Sequence, residues 1–127
     1  MIKYLITLLL LLPNIANSTC VKPTAMQGAI ADTVTTLVGI EFFGLAETNP
    51  VGFIGSTAMK IISLTYMADA SPEKQKMFDN TAGAVWSGAT VNNLMAILGA
   101  TIPVSIVIGI VSGMIFYNMP QCEQKDD

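Results

Sequence analysis

At 127 residues the chain has room for one domain. Hydrophobic residues make up 52% of it and charged residues 12%. That is about half the charged share of an ordinary soluble domain, and the apolar blocks are longer than a soluble core of this size covers, whereas lipid solvates apolar helix on every side. The net charge is −3, the six lysines are scattered, and there is neither arginine nor histidine. This excludes a basic nucleic-acid footprint and removes the commonest metal ligand and general base.

In chain order, residues 1–18 read as a secretory leader. Lys3 supplies the positive start, Tyr4 to Leu12 the short apolar run, and Ala16-Asn17-Ser18 the small residues of a cleavage site. The run is too short to anchor comfortably, so the mature chain is expected to begin outside the cytoplasm. Cys20 and Cys122 lie near the two ends and in no C-x-x-C pair. They suit a disulfide in an oxidising compartment or two unpaired thiols, and do not suit metal.

Residues 24–46 form the first expected span, carrying Asp32 and Glu41. Glu47-Thr48-Asn49-Pro50 is a stop and a restart, with Asn49 placed to cap the next helix and Pro50 in its first turn. Residues 50–68 form the second span, with Lys60 its one charge. Asp69 to Asn80 is the charged internal stretch, read as the main soluble loop with at most one amphipathic turn, although Ser71-Pro72-Glu73 resembles a helix start. Residues 81–119 carry no charge, and as one helix would run roughly 58 Å, well beyond one crossing. Pro103 splits them into spans at about 82–100 and 103–118. The rival division is a single span at about 94–117 after an interfacial helix.

The expected architecture is therefore all-α, an integral membrane protein of about four transmembrane helices arranged as two hairpins. Four spans place both mature termini outside the cytoplasm of a bacterial inner membrane, with Cys20 and Cys122 on one side. Three spans would separate them. The positive-inside rule argues for the opposite orientation, because Lys22, Lys74, Lys76 and Lys125 then all lie outside.

On a helical wheel Ala25, Gly28, Thr35, Thr36 and Gly39 share the face of Asp32, while Ile30, Val34 and Leu37 lie opposite. Glu41 points away. Ser56, Thr57, Ser63 and Leu64 share the face of Lys60, which lies roughly 15 Å past Pro50. A lone charge at that depth costs at least ~2.5–3.5 kcal/mol, so Lys60 is expected to face Asp32 or Glu47. The pair either sets helix register or lines a proton or ion path. Asn92 and Asn93 are expected to hydrogen-bond between helices. Ala84, Gly88, Asn92, Ala96 and Ala100 form one small-residue ridge, and Ser105, Gly109 and Gly113 another, suited to close packing or dimerisation. Trp86 and Tyr117 suit membrane interfaces.

The run Ala31-Asp32-Thr33-Val34-Thr35-Thr36, then Gly44, Glu47-Thr48-Asn49-Pro50 and Lys60, resembles an uncharacterised family of small bacterial and phage multi-span membrane proteins. These share an Asp-x-x-x-Thr helix, a Glu-x-Asn-Pro turn and a Lys in the following helix. The resemblance covers residues 30–62, makes Asp32, Thr36, Glu47, Asn49, Pro50 and Lys60 the signature positions, and implies a four-helix membrane fold with no activity attached.

The functional expectation is a structural or interaction subunit of a membrane complex. Its partners would be lipid and further copies or a larger assembly, with no nucleic acid, cofactor or metal. The alternative is an ion or proton channel, transporter component or membrane-permeabilising protein using Asp32 and Lys60. A Ser56–Lys60 dyad can be drawn at i, i+4, but it needs a strongly depressed lysine pKa, and no nucleophile elbow, zinc motif or phosphate loop accompanies it. No enzyme is expected.

Overall fold

The first helix starts at a reciprocal cap that the sequence spells out as Thr24-x-x-Gln27. The Gln27 N–H donates to Thr24 Oγ1 at 3.2 Å, and the Thr24 N–H donates to Gln27 Oε1 at 3.0 Å, satisfying two donors that a helix start leaves without partners. In the computed structural model, which describes residues 22–47 and 49–121, this helix, α1, spans Ala25–Phe43. The expected leader over residues 1–18 and the Cys20–Cys122 pairing lie outside the described residues. The helix α1 ends at Gly44, whose φ of 64° is left-handed, a conformation open to glycine without a Cβ penalty. Leu45 then turns back so that its N–H donates to Gly39 O at 3.0 Å.

Asn49 does not cap the second helix, α2, which spans Gly52–Ala68 with Val51 before it and no side-chain cap. Instead, the Gly52 N–H donates to Asn49 O at 2.9 Å. Val51 at φ −94°, ψ 2° then completes a type I turn over Asn49–Gly52. Asn, Pro and Gly each stand at the turn position that favours them. The Asn49 side chain accepts from the Val51 N–H at 3.1 Å, so its oxygen is consumed one turn too early to serve a helix.

The charged stretch Asp69–Asn80 is helix and not loop. The third helix, α3, runs unbroken over Pro72–Ile97, ten residues earlier than the expected start at about 82. Pro72 has no N–H to leave unsatisfied in a first turn, and Glu73 faces the positive end of the helix dipole. Gln75 reaches back to donate to Ala68 O at 2.9 Å and Ala70 O at 3.0 Å, closing carbonyls that the end of α2 leaves open. Gly99 at φ 91° turns the chain after α3. The fourth helix, α4, spans Ile102–Asn118 with Pro103 in its first turn.

The described residues thus form four helices and no strand, and Pro23–Met119 make one compact unit. They are not two equivalent hairpins. The central helix is α3, which packs along both α1 and α4, whereas α2 touches α1 and α3 only sparsely. The reason is the distribution of small residues. α3 buries Gly83, Ala84, Ser87 and Gly88, offering close approach on two sides, while α2 buries Lys60 alone. Among the described residues no helix is long and apolar enough to cross a membrane. α2 and α4 have 17 residues each, about 26 Å of helix at 1.5 Å per residue. α1 carries Asp32 and Glu41, and the first turns of α3 carry Glu73, Lys74, Lys76 and Asp79.

One tie between distant segments fixes where α1 begins. Asp79 Oδ1 accepts the Ala25 N–H at 2.9 Å, placing a carboxylate from α3 at the positive end of α1. Gly83, one turn on, allows this approach: a Cβ there would lie 2.5 Å from Pro23 O. Asp79→Ala is expected to cost about 0.5–2 kcal/mol, the usual loss when an N-terminal helix donor loses its oxygen. Chemical denaturation measures this, with exposed Lys74→Ala as the control.

Candidate functional site

The polar groups of three helices meet at Asp32. Facing small residues on α1 bring it inward: Ala25, Gly28, Ala29 and Gly39 are buried on the same face, and Gly28 permits contact with Gly83, Trp86 and Ser87 of α3. Lys60 reaches Asp32 from α2, its Nζ 2.6 Å from Asp32 Oδ2. Asn93 reaches it from α3, its Nδ2 donating to Asp32 Oδ1 at 2.9 Å. Both carboxylate oxygens are therefore engaged by donors from different helices. Asp32 and Lys60 are both buried.

Threonines surround the ion pair. Asn93 Nδ2 also lies 2.8 Å from Thr36 Oγ1 and 3.2 Å from Thr35 Oγ1. Its two hydrogens are thus shared among three acceptors. The Thr35 hydroxyl donates to Ala31 O at 2.8 Å. Lys60 makes a longer contact of 3.5 Å with Thr33 Oγ1. The result is a closed network in which the buried charges compensate each other, as their desolvation requires.

Glu47, the other acidic candidate for Lys60, belongs to a different environment. Its Oε1 accepts the Asn49 N–H at 2.8 Å, and its Oε2 is buried with no hydrogen-bond partner. Asn92 donates to Asn93 Oδ1 at 3.4 Å, while its own Oδ1 is also buried without a partner. Both residues line a cavity of about 130 Å³ together with Thr35, Thr36, Asn93 and Ser105. Ser56, drawn above as a partner of Lys60, donates to Phe53 O at 3.0 Å, within its own helix.

The two glycine ridges meet each other. A Cβ on Gly88 would lie 2.6 Å from Gly109 O and 3.0 Å from Gly113 Cα, so Gly109 and Gly113 serve contact between α3 and α4 of one chain. Trp86 is half-buried and stands edge-on to Phe78, with ring centroids 5.9 Å apart at 83°, a favoured aromatic geometry. Tyr117 is exposed. Three contributors carry no sequence signal of their role: Thr33 beside Lys60, Gln75 and Asp79. A glutamine in a helical first turn has no distinguishing pattern, and the contact of Asp79 spans 54 positions, which no local pattern signals.

Comparison with protein-family models, with curated proteins and with solved structures found no match.

Proposed function

We propose that this chain is a small membrane-embedded subunit that acts through helix packing, and that Asp32, Lys60 and Asn93 set the register of its helices. The observation that carries this reading is the inverted distribution of side chains. The buried hydrophobic residues among those described are Ala25, Ala29 and Ala84, while Asp32, Lys60, Ser87 and Ser105 are buried beside them. The large apolar side chains face outward, with Ile54 82%, Tyr66 80% and Leu98 79% exposed. On α4, exposed apolar side chains run from Ile106 through Ile110, Val107 and Val111 to Ile115, over about half of the helix circumference at 100° per residue. Water penalises such a surface at about 25 cal/mol per Å² of apolar area, and patches of this extent mark a surface that lipid or protein covers.

Lipid fits better than a single partner protein, because the apolar groups lie on several faces and small or hydrogen-bonded polar residues form the contacts between helices, the pattern of helices packed in a bilayer. Helices of 17 residues stand at the short end of spanning lengths and are accommodated by local thinning of the bilayer. An exported protein of a bacterial inner membrane remains the location this reading favours, with further copies or a larger complex as partners.

The test is extraction and sizing of the full chain. It is expected to stay with membranes through alkaline washing, to require detergent for release, and to run in mild detergent as a discrete particle heavier than one chain. A monodisperse preparation in plain aqueous buffer would overturn the proposal.

A further inference from the structure

We propose that the cavity between the end of α1, α3 and the start of α4 binds a monovalent alkali cation, with Glu47 and Asn92 as its principal ligands. Glu47 Oε2 and Asn92 Oδ1 are both buried and have no hydrogen-bond partner, and both residues line the same cavity. An unpaired buried oxygen costs about 1–3 kcal/mol, more when it carries charge, so two at one cavity call for an occupant that supplies hydrogen-bond donors or positive charge, and the carboxylate favours the second.

The protein's own cations do not supply it. Lys60 is held by Asp32 at 2.6 Å, and no lysine lines the cavity. The neighbouring amide of Asn93 is already spent on Asp32, Thr35 and Thr36. The remaining polar lining consists of hydroxyls, from Thr35, Thr36 and Ser105. Ser105 donates to Ile102 O at 3.0 Å, which leaves its oxygen lone pairs available.

This donor set is all oxygen and carries one formal charge, that of Glu47. Oxygen ligands suit hard cations. A single carboxylate balances a monovalent ion, whereas a divalent ion would leave excess positive charge buried. The volume of about 130 Å³ admits such an ion with two or three waters at roughly 30 Å³ each. The site adjoins the Asp32–Lys60 network through Asn93, Thr35 and Thr36, and the inference does not rest on whether lipid surrounds the protein.

The experiment is thermal unfolding of the purified full chain in sodium, potassium and choline chloride at equal ionic strength, with ²³Na line broadening as a direct reading of binding. A saturable rise in the midpoint with sodium or potassium over choline is expected. Glu47→Gln should abolish it while retaining the wild-type circular dichroism, and Glu41→Gln, at an exposed position, should keep it. If Glu47→Gln does not fold, Asn92→Ala is expected to weaken the dependence instead. Equal midpoints in all three salts, with no sodium broadening, would show that water alone fills the cavity and overturn the proposal. So would full cation dependence in the Glu47→Gln chain.

Discussion

Lys60→Met is expected to lower folding stability by about 3–5 kcal/mol, the usual result of leaving one partner of a buried ion pair uncompensated. Methionine keeps most of the apolar stem and removes the ammonium, so the loss reports on charge more than on volume. Lys60 is also the buried residue of α2, and α2 packs only sparsely on α1 and α3. The damage should therefore concentrate there, with amide hydrogens of α2 exchanging much faster than those of α3. The double variant Asp32→Leu with Lys60→Met tests the cause. Removing both charges often leaves a protein as stable as before, and Asn93 retains Thr36 at 2.8 Å. The double variant should recover most of the loss. Chemical denaturation of the two single variants and the double gives the coupling energy directly. A single-variant loss below about 1 kcal/mol, the range of exposed pairs, would show that the pair does not hold α2.

The second large effect is expected at Gly88. Alanine in a helix interior is favoured over glycine by about 1 kcal/mol, so an unobstructed Gly→Ala change should stabilise. At Gly88 the new methyl would lie 2.6 Å from Gly109 O, 3.0 Å from Gly113 Cα and 3.1 Å from Gly113 N. All three atoms are backbone, so relief requires α4 to move as a body. The net result of Gly88→Ala should be a loss of about 1–3 kcal/mol, the range of overpacked interiors. Gly109→Ala should behave similarly, since its Cβ would lie 2.8 Å from Gly88 O. Gly55→Ala is the control, because its nearest obstruction is the Val51 side chain at 3.1 Å. Denaturation midpoints separate the two classes, and a stabilised Gly88→Ala chain would mean that α3 and α4 are not in backbone contact.

The sequence by itself determined the all-helical character and the helix restarts near Pro50 and Pro103, with the division of residues 81–119 left between two readings. Apolar runs, Pro50 and Pro103 act within a few residues of themselves, so their effects are readable locally, whereas α1 and α3 stop at Phe43 and Ile97, before Gly44 and Gly99 and short of the expected ends at 46 and 100. The small face of α1 around Asp32 was legible for the same reason, as a matter of helical period. The tertiary structure decided the rest. It extended α3 back to Pro72, because a charged segment is a stable helix once Gln75 and Asp79 find partners on other elements. It made α3 the centre, because two rows of small residues admit two neighbours. It paired Lys60 with Asp32 and left a Glu47 oxygen beside Asn92 without a partner. Both acids bear the same charge and lie near Lys60 in sequence. Only the depth and rotation at which whole helices pack chooses between them, and that choice is energetic, since a buried charge is tolerated only where its partner arrives.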